Sequence, residues 1–282
     1  MRPSIMGRRR KGSAMSDADL DNLDTADALA TSGLRLEIDG VVATITLIRP
    51  ERRNAQTPGM WRALARIGDA LPDDVRIVVL RGAGPSFSSG IDLRAFSPEG
   101  IPGEEPAVPP DASPNELERA IAGYQRGFLW LRRPDIVSIA AVQGHAIGAG
   151  FQLALACDLR IATEDAAFCM KEPALGLVPD LTGTKPLVEA VGLARALEIC
   201  LTVRPVSAAE AHELGIAQAV VPAAELDGAV RDLTAALLQV DSGAAEATKG
   251  LLQQAPGNTL DEQAAAERRA QIDRLRALRS PA

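Results

Sequence analysis

The sequence predicts an α/β protein, and three stretches carry that expectation. An apolar, strand-like run, Ile136–Val142, breaks into a loop with Gly144, Gly148 and Gly150. It continues as an apolar helical segment, Phe151–Ala156, then returns after Asp158 to a second strand-like run, Leu159–Ala162. Arg76–Leu80 reads as a short buried strand, and RGAGPSFSSGIDLRAF (Arg81–Phe96) follows it as a glycine-rich turn with a helical start near Asp92. Near the N-terminus, β-branched residues in Leu34–Asp39 and Val41–Ile48 flank Asp39-Gly40, a hairpin signal.

The remaining elements follow in chain order. Met1–Ala14 carries GRRRK with no apolar segment behind it, so it reads as a basic arm, or as upstream of a start at Met15, and not as a secretory signal. Ser16–Thr31 is acidic and poor in large apolar residues, and residues 1–31 are expected to be mobile. Thr57 is placed to cap a helix with Pro58 in its first turn, and Trp61, Leu64, Ile67 and Leu71 fall on its core face. Ser97–Asp111 is rich in Pro and Gly and reads as a flexible loop, a candidate lid. Ser113 and Glu116 form a capping box for a helix whose face is Leu117, Ile121, Tyr124, Phe128 and Leu131.

FCMKEPALGLVP (Phe168–Pro179) is irregular, Thr182–Val191 and Leu193–Leu201 are helical, and Ser207 with Glu210 suggests another capping box. Ile216–Val221 is the last strand. The Ala-rich remainder is helical and ends in a helix capped by Thr259 and Glu262. The stripe of Ile272, Leu275 and Leu278 on that helix can pack on its own domain or on another subunit.

Of the 282 residues 46% are hydrophobic and 24% charged, with a net charge of −7, which suits a soluble globular chain and argues against nucleic acid as the main partner. No apolar run reaches the length of a membrane span. Cys157, Cys169 and Cys200 show no CxxC spacing, so reduced thiols in a cytoplasmic protein are expected. His145 and His212 are the only histidines, which disfavours a histidine metal site or a Ser-His-Asp triad; no metal is expected. The serines of FSSG have no evident histidine partner and are a poor nucleophile candidate.

The spacing G-x-x-x-G-x-G at Gly144–Gly150 is neither a dinucleotide fingerprint nor a P-loop. Glycines admit positive φ and close approach, and the first amides of a following helix have no partner within it. Such amides suit an anion or a developing oxyanion. A glycine turn that merely seats a helix on a sheet has the same appearance.

Five motifs in order resemble the crotonase (enoyl-CoA hydratase/isomerase) superfamily. They are RPERRNA at Arg49–Ala55, FSSGIDL at Phe87–Leu93, GHAIGAGFQLALACDLRIA at Gly144–Ala162, F-x₃-E-x₃-G-L-x-P at Phe168–Pro179 and A-x₃-G-I-x₃-V-V-P at Ala211–Pro222. The resemblance implies a crotonase-like spiral of β-β-α turns with a C-terminal helical region. The chain then divides into a mobile extension (1–31), a spiral core (32–222) and a helical assembly region (223–282), the last serving a homotrimer or a dimer of trimers. It further implies an acyl-CoA thioester ligand and no cofactor beyond the substrate's own CoA. The backbone N–H groups of Ser89 and Ala149 are expected to form the oxyanion hole. Asn54, Ala55, Gly90, Ile91, Asp92, Gly148 and Gln152 are expected to line the substrate and CoA site.

Hydratases of this superfamily use two glutamates, and here the first position is Gln152, which cannot accept a proton; the second is Glu172. Lys171 and Pro173 depart from the family's Pro-Glu order, which leaves the direction of the Glu172 side chain open. Asp180 stands where dienoyl-CoA isomerases also carry an acidic residue, or else caps the next helix. The resulting expectation is enoyl-CoA double-bond isomerisation with Glu172 and Asp180 catalytic. The alternatives are a hydratase and a non-catalytic acyl-CoA-binding protein.

Overall fold

The computed structural model describes residues 26–279, apart from 98, 105 and 108–110. It opens with helix α1 (Ala26–Thr31), whose Leu29 is buried in the core. The expected mobile extension therefore overran: its last residues are anchored by Leu29, and the rest of that expectation lies outside the described residues. Strands β1 (Leu34–Asp39) and β2 (Val42–Leu47) pair antiparallel with Asp39 opposite Val42, so the two-residue turn is Gly40-Val41, one residue later than expected. Gly40 takes the positive φ of that turn.

Helix α2 (Pro58–Ala70) is capped by Thr57, which accepts from Met60 N–H, and it buries Trp61, Leu64 and Ile67. Strand β3 (Ile77–Gly82) leads to FSSGID, where only a short 3₁₀ turn, Leu93–Phe96, forms, capped by Asp92. Helix α3 (Pro114–Leu129) begins with the full Ser113–Glu116 capping box and packs Tyr124 and Phe128 against Trp61, with ring centroids 5.2 Å and 6.4 Å away.

Then come β4 (Val137–Val142), β5 (His145–Ile147), α4 (Ala149–Ala156), β6 (Leu159–Thr163) and β7 (Ala167–Cys169). Helix α5 (Thr184–Thr202) is broken at Gly192, where φ is +75°, between the two helical runs read from the sequence. The chain continues through β8 (Val206–Ser207), α6 (Ala208–Glu213) and β9 (Ala219–Val221). Ser207 caps α6, but Glu210 turns its carboxylate to Arg204, so the box stays half made.

Strands β1-β2-β3-β4-β6-β9 form one sheet, parallel beyond β2, and β5-β7-β8 form a second. Successive turns of the chain repeat one step: a strand of the large sheet, a short extended piece of the second layer, then a helix. Isolated bridges extend the pattern, with Ser88 pairing with Ala146 of β5 and Gln56 pairing with Ile91. The core lies between the large sheet and α2–α4, around Phe87, Phe128, Phe151 and Phe168.

Helices α7 (Leu226–Leu238), α8 (Ser242–Gln254) and α9 (Leu260–Ala277) complete the chain. Leu226 and Val230 of α7 cover Ile77, Val79, Ile139 and Ile161 on the other face of the sheet. On α8, Lys249 Nζ donates to Arg133 O (2.7 Å), Ile136 O (2.7 Å) and Asp158 Oδ2 (2.6 Å). No helix among the described residues is long and apolar enough to cross a membrane.

Candidate active site

The two glycine turns meet through the second layer. Ser88 N–H donates to His145 O (2.8 Å) and Ile147 N–H donates to Ser88 O (3.0 Å). A Cβ built on Gly90, where φ is +91°, would stand 2.6 Å from Ile147 O and 3.5 Å from Ala149 N; one on Gly150 would stand 2.4 Å from Ser88 O. Only hydrogen fits at either position, and this brings Gly90-Ile91 against the start of α4.

A buried polar chain holds the 54–56 loop to the same turn. Trp61 Nε1 donates to Gln56 Oε1 (2.7 Å), Gln56 Nε2 to Ser88 Oγ (3.0 Å), and Ser88 Oγ to Asn54 O (2.8 Å). Gln56 N–H donates to Gly90 O and Asp92 N–H to Gln56 O, each at 2.7 Å. Asn54 is fully buried, and its side chain bonds Arg49 N, Ala83 O and Ser86 O; its role is to shape the loop beside Ala55. Gln56 and Trp61 complete this support. The sequence marked Trp61 only as core and gave no sign of Gln56.

Asp92 is an ion-pair centre. Its carboxylate receives Arg94 Nε (3.0 Å), Arg94 Nη2 (2.7 Å) and Arg49 Nη2 (3.0 Å). Arg94, then Arg49, hold its pKa well below the usual carboxylate range against the cost of burial.

Of the two amides expected to form the oxyanion hole, that of Ser89 is engaged. Its N–H donates to Arg53 O at 2.9 Å and so is already used within the protein. Among the described residues, Ile91 N–H and Ala149 N–H have no hydrogen-bond partner.

Glu172 is buried and faces inward despite its Lys-Glu-Pro context: Gln152 Nε2 donates to its Oε1 at 2.7 Å, and that Oε1 lies 3.2 Å from where a Gly148 Cβ would be. Gln152 is oriented by its other end, since its Oε1 accepts from Leu181 N–H (2.8 Å) and Gly183 N–H (3.3 Å). Glu172 Oε2 is buried with no hydrogen-bond partner among the described residues. Burial pushes the Glu172 pKa up and the charge of Asp180 adds to the rise, while nearby backbone N–H groups and Gln152 oppose it.

Asp180 does not cap a helix. The cap of α5 is Gly183, without a side-chain bond. Burial raises the Asp180 pKa as well. Its carbonyl accepts from Gln125 Nε2 of α3 at 2.7 Å. The structure thus gathers Gly90, Ile91, Gly148, Ala149, Gln152, Glu172 and Asp180, with Asn54, Ala55 and Asp92 in the supporting turn behind.

Ser88, in FSSG, spends its hydroxyl on the buried polar chain. A serine–histidine contact does exist, between Ser86 Oγ and His145 Nδ1 at 3.0 Å, but Ser86 is buried. An apolar cavity of about 530 Å³ opens between Pro134–Val137 and α7–α8, and none of the expected site residues lines it.

Residues 37–277 match the enoyl-CoA hydratase/isomerase family model. The fold superposes with a TM-score of 0.87 on a Thermobifida fusca YX protein provisionally named an enoyl-CoA hydratase, solved in complex with CoA, at 61% identity over 91% of this chain and 98% of that one. A second structure under that name holds acetoacetyl-CoA (59% identity, TM-score 0.84, 90% and 98% covered). The glyoxysomal fatty acid beta-oxidation multifunctional protein MFP-a of Cucumis sativus is 35% identical over 73% of this chain, which spans only 27% of that relative's length. The peroxisomal Delta(3,5)-Delta(2,4)-dienoyl-CoA isomerase of Arabidopsis thaliana is 32% identical over 78% of this chain and 80% of its own. With the motifs, the paired glycine turns and the family model in agreement over most of its length, the chain belongs to the enoyl-CoA hydratase/isomerase family of the crotonase superfamily.

Proposed function

We propose that this chain shifts a double bond in an enoyl-CoA thioester through an oxyanion-stabilised enolate. The observation that carries the reading is the direct contact of Gln152 with Glu172. A hydratase of this superfamily holds water between two carboxylates. Here one partner is an amide whose oxygen is committed to Leu181 and Gly183, so a single carboxylate, Glu172, is left to move protons at that position.

In the proposed reaction the thioester oxygen sits against the N–H groups of Ile91 and Ala149. Enolisation moves charge onto that oxygen, and each preorganised donor lowers the barrier by about 3–4 kcal/mol. Glu172 takes the proton from the α-carbon. Its unpartnered Oε2 is the oxygen that receives it, and a raised pKa makes the carboxylate a stronger base. Asp180, also raised, returns a proton further along the acyl chain. CoA as the thioester's carrier is supported by the CoA and acetoacetyl-CoA complexes of the similar T. fusca protein.

Incubation with enoyl-CoAs of several lengths in deuterated water tests this. α-Proton exchange with a shifted double bond supports it; net addition of water supports a hydratase. The amide at Gln152 also fits an acyl-CoA-binding protein, and tight binding with neither reaction favours that second reading.

We further propose that the chain works as a homotrimer or a dimer of trimers. Leu193, Leu197 and Leu201 on α5, together with Leu177 and Val178, leave an apolar cavity of about 450 Å³ open on the surface. Ile272 and Leu275 on α9, with Leu278 at its C-cap, form a second exposed stripe. Two unlike patches on one chain favour head-to-tail closure into a ring. Sedimentation equilibrium reads the copy number.

A further inference from the structure

We infer that Gln125 is a positioning residue for Asp180: with Gln152 it grips both polar ends of the single peptide unit joining Asp180 to Leu181, and so holds the Asp180 carboxyl beside Glu172. The inference rests on the isomerase reading above.

The two glutamines come from different helices and reach the same peptide group. From α3, Gln125 Nε2 donates to the carbonyl of Asp180 at 2.7 Å. From α4, Gln152 Oε1 accepts the N–H of Leu181 at 2.8 Å. A peptide group is planar, so holding its oxygen and its hydrogen holds the plane that leads out of the Asp180 Cα and restricts where the Asp180 side chain can stand.

The surrounding segment needs such a grip. Residues 176–183 contain no helix or strand. Thr182 sits at φ +69°, a region that β-branched residues rarely occupy. Leu181 supplies its buried side chain, and Gly183 N–H adds a bond to Gln152 Oε1 at its end. Strain of this kind persists where surrounding bonds over-determine the conformation and clusters at functional sites. The Asp180 carboxyl has no hydrogen bond to another side chain among the described residues, only one to its own backbone, and Glu172 feels its charge. Its place is thus set by its backbone, and the backbone by the two amides.

Gln152 already orients Glu172, so changing it would disturb both carboxyls at once. Gln125 touches only the Asp180 side, which makes it the informative substitution. Gln125→Met keeps length and volume and removes the donor; Gln125→Asn, too short to reach the carbonyl, is the second variant if the first fails to fold.

The expected result has two parts. Carbon-13 NMR of the carboxyls shows the Asp180 titration moving down toward its ordinary value of 3.8 as the side chain swings toward water. In deuterated water, double-bond transfer falls by about 10- to 100-fold, in kcat rather than KM, and falls several-fold more than α-proton exchange. An unchanged Asp180 titration overturns the proposal, and so does a loss of α-exchange in step with product, which is what a merely structural bond would give. Failure of the isomerase reading shows earlier and separately, as absence of α-exchange in the unaltered protein. In that case the titration alone decides whether Gln125 holds Asp180.

Discussion

Gln152 and Glu172 meet side chain to side chain at 2.7 Å, and the amide end that touches Glu172 is dictated by two backbone N–H groups on the opposite end. The pair therefore behaves as one acid with a fixed neutral neighbour. Its chemistry follows from what each oxygen has left to do.

Gln152→Glu places a second carboxyl against the first. Two carboxylates at that separation cannot both ionise easily and will share a proton. Restoring a proton-accepting group is expected to raise enoyl-CoA hydration by about 10²-fold over the parent, read as loss of enoyl absorbance. If hydration stays at the parent level, the amide is not what limits it.

Glu172→Gln removes the proposed base and keeps its shape. α-Proton exchange is expected to fall by about 10²- to 10⁴-fold. Affinity for a saturated acyl-CoA, followed by calorimetry, changes only a few-fold, because the proposed oxyanion donors are backbone groups.

The raised pKa of Glu172 has consequences of definite sign. As a base it is active when ionised, so α-exchange rises with pH through a midpoint above the ordinary glutamate value of 4.5. For stability the sign reverses. A carboxyl whose folded pKa exceeds its unfolded one favours the fold below the unfolded value, and that contribution is lost as pH rises through the folded one. Thermal melts across that window should show the parent losing stability relative to Glu172→Gln.

Asp92 titrates in the opposite sense. Arg94 and Arg49 depress its pKa, so its contribution is present above 3.8 and is lost as pH falls toward the lower folded value. Asp92→Asn should cost about 1–3 kcal/mol at neutral pH, with the difference from the parent fading in acid.

Gly90→Ala forces a methyl to within 2.6 Å of Ile147 O at a φ of +91°. The two turns must part, and a loss of about 1–3 kcal/mol in stability is expected along with loss of thioester turnover. A variant that keeps full turnover would detach the proposed oxyanion donors from this junction.

Much of this was legible in the residues. Thr57, Ser113 and Thr259 announced their helices because a cap bond is local and spans three residues. Glu172 and Gln152 were found by register with known motifs, although their contact spans twenty residues. The bond from Ser89 N–H to Arg53 O was not legible, because it joins two loops 36 residues apart and leaves no local pattern. Gln56 and Gln125 carried no local signal at all. Their partners lie 32 and 55 residues away, and an isolated glutamine in a helix or loop looks like solvent-facing surface. Leu29 anchors a helix in a stretch whose composition is that of a tail.

Lys249 reaches from α8 into the floor of the sheet and satisfies Asp158 together with two carbonyls. A gene cut short after Val240 would strand that aspartate beneath the surface with its counter-charge gone and strip the shelter from Arg133 and Ile136. The segment after Val240 is therefore a keystone of the monomer, and a shortened version should be recovered as insoluble material instead of a smaller working enzyme.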